Sequence, residues 1–379
     1  MRLAIVETAP YGGLLHYAAQ LGDALAARGH EVDLLAPRDN ELAERPGKAV
    51  RMRAVLTPPV RSRAAEGGHP IVRRGRVAVR LVRGWTRVLW ESRHYDVVVI
   101  NVDIDLSLVA AYALTLSYLG PKVVVIAHSV RPLNRWGGES HYVSSGLLRR
   151  LLSRLYRRAQ AVVVHGERSR AAFAEAWPGG RVVVIPHGDE EMFLTGEPLG
   201  DAPEPRALFF GVWRKVKGLP VLMDAFDLLV ARQPDARLTI AGAPSPADLD
   251  PVPIEAWAAR HGERVQLEAG YIELEDVPAL FGAARCVVCP YETAFQSGVV
   301  HVALTFGRAL VASDVGDLPE GVGDAGLLVA PGDPQALADA LERVLFEPGL
   351  AAKLGVQARG RAGEHASWAD VAEKFEAAL

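Results

Sequence analysis

Short apolar runs alternate along the chain with longer segments whose apolar residues recur every three or four positions. Residues 3–7 predict a buried strand, and residues 14–28 predict the helix that follows it. Further runs rich in Val and Ile predict strands at residues 31–35, 97–101, 123–127, 161–165 and 182–186. Continuous apolar runs are typical of parallel strands covered on both faces, and their alternation with helices predicts a doubly wound α/β fold.

The same alternation restarts in the second half of the chain. Residues 196–205 are rich in Gly, Pro and acidic residues, which predicts a linker. Beyond it, strands are predicted at residues 207–211, 237–242, 265–269 and 286–289, and helices at 219–233, 334–346, 349–362 and 368–378. We therefore predict a Rossmann-like domain over residues 1–195 and a second over residues 206–362. Ligands of such folds bind at the carboxyl ends of the strands, here in a cleft that both domains face.

The composition is typical of a globular protein. Of the 379 residues, 50% are hydrophobic and 23% are charged, which argues against disorder. The chain contains no uncharged apolar run of about 18 residues, and its first residues lack the apolar core of a signal peptide, so we expect a cytoplasmic protein. Its two cysteines, Cys286 and Cys289, lie on one predicted strand. Residues three apart on a strand point to opposite faces, which favours buried structural cysteines over a redox pair.

The charge is unevenly distributed. Residues 1–200 hold 27 Lys and Arg against 19 Asp and Glu, whereas residues 201–379 hold 15 against 26. Arginines recur at helical spacing over residues 73–87, and a leucine stripe over residues 147–155 is flanked by arginines. Such helices either bind anionic lipid, which would place the protein peripherally on the inner face of the membrane, or simply expose their arginines to water. We do not expect nucleic acid as a partner, because no aromatic residues interleave the basic ones.

A basic loop follows the first strand of the second half. Gly211 ends the apolar run, Arg214 and Lys217 follow, and Gly218 leads into a helix. Arg214 can bind two oxygens at once and Lys217 adds a point charge, so the pair suits a diphosphate. The alternative is a basic loop exposed to water.

A polar turn precedes a second apolar helix. Ser297 is a candidate N-cap, and Gly298 would let a phosphate approach the backbone closely. The N–H groups at the start of a helix, together with the helix dipole, favour an anion. The alternative is an ordinary capped helix.

Several short motifs follow one another in the order that a known protein family shows. They are Gly12-Gly13, Arg28-Gly29-His30-Glu31-Val32, Ile185-Pro186-His187-Gly188, Arg214-x-x-Lys217-Gly218, Leu238-x-Ile240-Ala241-Gly242, Gln296-Ser297-Gly298-Val299, Gly307 and Ala312-Ser313-Asp314-Val315-Gly316-Asp317-Leu318-Pro319-Glu320. Each motif is weak alone, but together they span nearly the whole chain. The sequence resembles a glycosyltransferase of family 4, which has the GT-B fold.

The resemblance implies a retaining enzyme that moves a hexose-type sugar from a UDP- or GDP-linked donor to a glycan or a lipid-linked glycan, without a cofactor or a metal. The C-terminal domain would bind the donor, and the N-terminal domain would bind the acceptor. Residues 363–379 would form a helix that packs back on the N-terminal domain.

The resemblance also assigns roles to individual residues. Arg214 and Lys217 match the pair that neutralises the leaving diphosphate, Gly13 matches the glycine loop over the phosphates, and His128 matches a histidine near the transferred sugar. We thus expect His128, Arg214 and Lys217 to be catalytic. The expected donor contacts are Gly12, Gly13, Gly211, Arg214, Lys217, Glu292, Gln296, Ser297, Gly298, Val299 and Glu320. The expected acceptor contacts are Asp103, His128 and Arg131.

The sequence departs from the family at one place. The family usually carries two glutamates separated by seven residues, and Ala294 and Val302 occupy those positions here, in a Gln-Ser-Gly-Val variant of the motif. Glu292, Gln296 or Glu320 would have to substitute. The departure leaves two alternatives open: a catalytically inactive partner subunit that binds nucleotide sugars, and a GT-B epimerase acting on nucleotide sugars.

Other polar residues have weaker interpretations. Asp103 and Asp105 resemble a metal-binding Asp-x-Asp pair, but in the N-terminal half of this fold they favour capping of the next helix or contact with the acceptor. His165 and His187 follow strands and are expected to be structural, although His187 could line the cleft.

Overall fold

The computed structural model describes residues 1–43, 49–56, 70–102, 104, 106–130, 145–194, 200, 202, 204–246, 248–365 and 367–379. Side chains within this part are described except at residues 70–75, 77 and 363–365. The described chain forms two compact units. The first contains residues 1–130, with the gaps just given, residues 145–186 and Trp368–Leu379, and the second contains His187–Ser367. Most of the predicted linker lies outside the described residues.

The first unit is built on a parallel sheet. Its elements are β1 (Arg2–Val6), α1 (Gly13–Ala27), β2 (Glu31–Pro37), β3 (Arg51–Leu56), α2 (Pro70–Ser92), β4 (Val97–Ile100), α3 (Ser107–Leu116), β5 (Lys122–Ile126), α4 (Gly146–Arg158), β6 (Ala161–Val164), α5 (Glu167–Ala176) and β7 (Val182–Val184). In the described residues the sheet has seven strands in the order β3-β2-β1-β4-β5-β6-β7. The apolar runs of β1, β4, β5 and β6 are almost entirely buried, because helices pack on a parallel sheet from both sides. The edge strand β3 was not predicted, since arginines interrupt its apolar pattern.

The second unit repeats this architecture. Its elements are β8 (Arg206–Phe210), α6 (Leu219–Arg232), β9 (Arg237–Gly242), α7 (Pro251–His261), β10 (Val265–Ala269), α8 (Val277–Ala283), β11 (Cys286–Cys289), α9 (Gly298–Thr305), β12 (Ala309–Ser313), α10 (Leu318–Val322), β13 (Gly326–Val329), α11 (Pro334–Phe346) and α12 (Leu350–His365). Its described sheet has six parallel strands in the order β10-β9-β8-β11-β12-β13. The strand order reverses between β8 and β11, and a ligand crevice forms at such a reversal. Both units are thus Rossmann-like, as the alternating pattern predicted.

The last helix, α13 (Trp368–Ala378), belongs to the first unit. Glu376 accepts a hydrogen bond from Arg28 Nη2 at 2.8 Å, and His30 Nε2 lies 2.7 Å from its other oxygen. The Arg28 hydrogen bond lowers the pKa of Glu376 to about 2. The C-terminal residue is held as well, because Leu379 O accepts from Lys122 Nζ at 2.7 Å.

The cysteines of β11 confirm the expected alternation. Cys286 packs into the core on one face of the sheet, and Cys289 packs into the core on the other. Burial raises the pKa of the Cys286 thiol to about 12 and that of the Cys289 thiol to about 11. Both therefore remain neutral thiols that pack like small apolar side chains.

The segment before the predicted linker groups with the second unit. Phe193 is buried in one of that unit's cores, and the backbone N–H of Glu190 donates to Thr305 Oγ1 at 2.9 Å. The sequence analysis assigned residues up to 195 to the first domain. The compact units instead divide between Pro186 and His187, because these contacts hold the following residues to α9.

Candidate active site

The basic loop after β8 is fixed by close backbone contacts. Gly211 has a φ of +120° and donates its N–H to Ala241 O at 2.9 Å. Gly218 has a φ of +69°, and a Cβ there would lie 1.8 Å from Pro290 O. A side chain at residue 218 is therefore excluded, and the loop lies directly against the residues that follow β11.

Arg214 is oriented by a buried carboxylate. Its Nε donates to Asp248 Oδ2 at 3.1 Å, and Asp248 has a side-chain exposure of only 2%. A guanidinium carries five N–H donors in one plane, so this contact fixes the direction of the group. Arg214 is thereby prepared to bind an anion at the loop.

Lys217 lies on the face of an aromatic ring. Its Nζ is 3.7 Å from the ring centroid of Tyr291, and among the described residues no carboxylate lies within ion-pair distance of it. Burial, and to a smaller extent the nearby Arg214 charge, lower the pKa of Lys217 to about 8. A cation–π contact stabilises the ammonium by about 1–2 kcal/mol, whereas a buried charge left without an opposite charge is costly. The electrostatics therefore favour a ligand that brings negative charge to this position.

The same tyrosine links the basic loop to the start of α9. Tyr291 Oη and Ser297 Oγ are 3.1 Å apart. Ser297 occupies the N-cap position, as predicted, but its hydroxyl makes no cap hydrogen bond. Among the described residues, the N–H groups of Gly298 and Val299 also have no acceptor. The start of α9 therefore keeps two donors that a ligand oxygen could use.

The two predicted donor segments thus lie side by side in the second unit. A Cβ placed on Gly211 would be 3.8 Å from Val299 Cγ2, at the first turn of α9. Lys217 contacts the Tyr291 ring, and the Tyr291 hydroxyl contacts Ser297 at the helix start. A diphosphate matches this arrangement, because its oxygens can meet two cations and two backbone donors together.

The remaining predicted donor residues differ in burial. Glu292 and Glu320 are exposed, whereas Gln296 is partly buried. The backbone N–H of Glu292 donates to Val216 O at 3.0 Å, which joins the basic loop to the residues after β11. Glu320 lies in α10, where its carbonyl accepts from Arg361 Nη2 at 2.6 Å.

The positions of the two family glutamates are apolar here. Val302 is buried in the core beneath α9. Ala294 lies in the loop before α9, where its carbonyl is so close to Gly316 that a Cβ on Gly316 would come within 2.1 Å of it. At Val302, a carboxylate would have to enter a packed apolar core.

The glycine loop of the first unit lies at the start of α1. Gly12 is the N-cap, with a φ of +88°. Glu41 Oε1 accepts from the Gly12 N–H at 2.5 Å and lies 2.7 Å from His16 Nε2. Among the described residues, the Gly13 N–H has no acceptor, so the turn still presents a backbone donor beside a fixed carboxylate.

His128 is engaged through both ring nitrogens. Its Nε2 is 2.8 Å from Asn101 Oδ1, and its Nδ1 is 3.3 Å from His165 Nε2. Sequence reasoning missed Asn101 as a site residue and expected His165 to be structural. Each directly follows a buried strand, which is the signal that could have pointed to them. The other expected acceptor contacts, Asp103 and Arg131, lie outside the described residues.

Among the described residues there is neither a candidate membrane-spanning helix nor a candidate metal-binding cluster. No described helix is both long enough and apolar enough to cross a membrane. Within the same residues, no group of three or more His, Cys, Asp or Glu side chains is arranged to hold a metal ion.

Comparison with known proteins decides the family. The family described as Glycosyltransferase Family 4 matches residues 11–189, and the family described as Glycosyl transferases group 1 matches residues 204–347. The alpha-maltose-1-phosphate synthase of Mycolicibacterium smegmatis is 30% identical over 301 residues, which cover 70% of this chain and 74% of that protein. The chain belongs to the family 4 glycosyltransferases. The resemblance seen in its motifs is thereby confirmed at the level of the family.

Other relatives of this family 4 glycosyltransferase match a smaller part of it. The D-inositol 3-phosphate glycosyltransferase of Corynebacterium aurimucosum is 33% identical over 217 residues, or 53% of this chain. The match spans about half of that relative's own length, 51%.

Solved structures show that this glycosyltransferase has the GT-B fold. Sucrose-phosphate synthase from Thermosynechococcus elongatus superposes with a TM-score of 0.73 and 20% identity, over 99% of this chain and 97% of that one. Anabaena HepE in complex with UDP-glucose gives a TM-score of 0.73 and 19% identity, over 100% of this chain and 98% of that one. Likeness at such low identity is a likeness of fold.

Proposed function

We propose that this glycosyltransferase moves a hexose-type sugar from a nucleotide-diphosphate donor to an acceptor hydroxyl with retention at the anomeric carbon. One observation carries the proposal: Arg214, Lys217 and the bare start of α9 converge in one unit. The name of the Anabaena neighbour's complex, with UDP-glucose, makes UDP the first nucleotide to test.

The cations would act on the leaving group. When the bond from the anomeric carbon to the phosphate oxygen breaks, the sugar becomes positive and the nucleotide diphosphate gains negative charge. Arg214, Lys217 and the α9 donors would stabilise this charge more than the charge of the intact donor, which lowers the barrier. The loss of one such contact should raise the barrier by about 3 kcal/mol.

Retention needs no protein nucleophile in this proposal. The acceptor oxygen forms the new glycosidic bond on the face from which the diphosphate departs. The proton of the acceptor hydroxyl passes to the departing phosphate oxygen, so the products are the glycoside and the protonated nucleotide diphosphate. We propose that the reaction proceeds without a metal, since Arg214 and Lys217 would supply the positive charge.

The acceptor we propose is a glycan or a lipid-linked glycan, with Asp103, His128 and Arg131 on the acceptor side. A phosphorylated acceptor is the second candidate. It is favoured by the names of two relatives, an alpha-maltose-1-phosphate synthase and a D-inositol 3-phosphate glycosyltransferase. A panel of phosphorylated and unphosphorylated acceptors, assayed for nucleotide release, separates the two.

The donor site is tested by ligand-induced stabilisation. UDP or GDP at about 100 times its dissociation constant should stabilise the wild type by about 2.7 kcal/mol and raise its melting temperature. Lys217→Ala should remove most of that shift, whereas Lys215→Ala should keep it, because Lys215 is exposed in the same turn. Equal shifts in the two variants would contradict the proposal.

Activity assays separate the two alternative functions. An active transferase should hydrolyse its donor slowly without acceptor, and Arg214→Ala should abolish the hydrolysis. An inactive partner subunit would bind donor and release no sugar. An epimerase would yield an isomeric nucleotide sugar rather than a free sugar.

We further propose that the protein works at an anionic membrane surface through α4. Leu147 is 60% exposed and Arg149, Arg150 and Arg154 are also exposed, while Leu152 and Leu155 are buried. Basic residues near such a surface contribute about 1 kcal/mol each. The wild type should sediment with anionic vesicles at low salt, and a variant with the three arginines changed to Gln should not. Equal sedimentation of both would contradict the proposal.

A further inference from the structure

Four polar side chains form a row along the carboxyl edge of the first sheet. Glu7 follows β1, Asn101 follows β4, His128 lies just beyond β5 and His165 follows β6. These strands are neighbours in the sheet, so the four side chains meet in the same order. The row ends at the carbonyl of Ile185, just beyond β7.

The hydrogen bonds at the two ends of the row have one direction each. Asn101 Nδ2 donates to Glu7 Oε2 at 2.8 Å and to Leu14 O at 2.9 Å. A backbone carbonyl only accepts, so the amide orientation is fixed and Asn101 Oδ1 must be an acceptor. At the other end, His165 Nδ1 lies 3.0 Å from Ile185 O and must therefore donate to it.

These directions determine the protons on the two rings. His128 Nε2 faces the accepting Asn101 Oδ1 at 2.8 Å, so it carries a proton. A neutral imidazole has one N–H, which leaves only lone pairs on His128 Nδ1 and His165 Nε2 if both rings are neutral. Those two nitrogens are 3.3 Å apart and would repel each other. One additional proton between them turns the contact into a hydrogen bond.

We propose that His128 and His165 share one extra proton, so that the pair is a partly buried imidazole–imidazolium pair, and that His165 is a positioning residue which charges and orients His128. The role assigned to His165 rests on the proposed function, in which His128 lies on the acceptor side. Both nitrogens of His128 are committed within the row, so the ring supplies a fixed positive charge and does not act as a proton-transferring base.

The surroundings balance this charge. Glu7 is fully buried, and its carboxylate is joined to the pair through Asn101. Glu7 Oε1 also accepts from the Ala9 N–H at 2.6 Å. Tyr17, from α1, packs its ring 5.2 Å from both imidazoles, and burial raises the pKa of its hydroxyl well above the usual value, so it stays neutral. In this proposal Glu7 is ionised, so that its charge and the shared proton form one neutral unit.

The experiment is a nitrogen NMR spectrum of ¹⁵N-histidine-labelled full-length protein near neutral pH, without ligand. Difference spectra against His128→Gln and His165→Gln assign the two rings, and His94→Gln, which changes an exposed histidine, is the control. In the wild type, we expect N–H shifts at His128 Nε2 and at His165 Nδ1, and either one N–H shift or two averaged shifts at the two nitrogens that face each other. In His165→Gln, the new amide can donate to His128 Nδ1, so His128 should show the shifts of a neutral ring protonated at Nε2.

Donor turnover supplies the second measurement. His165→Gln should lower kcat roughly 10- to 100-fold, as the loss of a positioning partner does, and His165→Leu should lower it further. UDP should stabilise both variants as it stabilises the wild type, because the row lies outside the unit that holds Arg214 and Lys217.

The two hypotheses fail in different ways. Neutral shifts for both rings in a wild type that turns over donor would overturn the shared proton and leave the proposed function standing. The shifts expected for the shared proton, in a protein that neither binds nor turns over any nucleotide sugar, would overturn the function and leave the shared proton standing. Equal kcat in the wild type and His165→Leu would overturn the positioning role of His165.

Discussion

At the scale of single residues, the electrostatics of Lys217 favour an anionic ligand. The Tyr291 ring contacts the Lys217 ammonium group. Burial lowers the pKa of Lys217 to about 8, so Lys217 holds its proton weakly when no anion is nearby. Arg214 and Lys217 were proposed from sequence because their cations follow an apolar strand. Tyr291 was not singled out, because nothing in the local sequence shows that its ring lies under Lys217.

This pKa predicts how nucleotide binding depends on pH. Below about pH 8 Lys217 carries its proton and can pair with a diphosphate, whereas above it the amine must first take up a proton. The affinity for UDP should therefore fall as pH rises through about 8, by at most about tenfold per pH unit. Calorimetric titration at several pH values measures this slope. Lys217→Arg should remove the slope, Lys215→Ala should keep it, and a slope unchanged in Lys217→Arg would assign it to another group.

Gly218 predicts a second effect at the scale of one residue. Alanine there must adopt a φ of +69° and place its Cβ 1.8 Å from Pro290 O. We expect Gly218→Ala to lower the unfolding free energy by more than about 2 kcal/mol. Gly349→Ala is the control, because its φ is +77° but nothing lies within 4 Å of the added Cβ, so it should cost about 1 kcal/mol. Urea unfolding measures the unfolding free energy of both variants. An equal decrease in the two would mean that the loop moves to accommodate the added Cβ.

At the scale of elements, the sequence predicted some strands with their bounds and missed others. β9, β10 and β11 have the bounds that the sequence predicted, although Gln266 and Glu268 interrupt the apolar run of the edge strand β10. β12 and β13 were missed, although β12 is fully buried, since their short runs of small residues and leucines have no strong periodicity. The helices α7 and α8 were missed as well, although α11, which also begins with a proline, was predicted.

The attachment of α13 predicts a pH effect on stability. Pairing with Arg28 lowers the pKa of Glu376 to about 2, below the usual value of 4.5, so the pair stabilises the fold above about pH 4.5 and this contribution is lost as pH falls toward 2. Because the pair is partly exposed, we expect Glu376→Gln to cost about 1–2 kcal/mol near neutral pH. The difference from wild type in urea unfolding should vanish near about pH 2. Glu373→Gln, which is exposed on the same helix, is the control, and an equal cost there would contradict a specific pair.

At the scale of the whole molecule, two similar sheets carry different chemistry. The first unit has a row of Glu, Asn and His side chains at the ends of its strands, and the second has cations beside a helix start. The periodicity of the sequence predicted both sheets. The sequence also showed that the two halves of the chain differ in charge. It could not show which strand ends are neighbours, because the order of strands in a sheet is set by tertiary packing.

This division predicts separate thermal responses. In scanning calorimetry, UDP should raise the transition of the second unit, because its cations and helix donors lie there. Glu376→Gln should lower the transition of the first unit, which contains α13. A single transition that both changes move equally would show that the two units unfold together.

The uncapped start of α9 would couple nucleotide binding to the stability of that helix. The Ser297 hydroxyl is hydrogen-bonded to the Tyr291 hydroxyl and caps no backbone N–H. This eight-residue helix therefore lacks an N-cap hydrogen bond, which usually contributes about 1 kcal/mol. A bound phosphate would accept hydrogen bonds from the N–H groups at the start of α9, as a capping side chain does. The bound nucleotide would therefore stabilise the first turn of the helix. Every departure of spent nucleotide would then loosen the first turn of this helix, and every fresh donor would tighten it again.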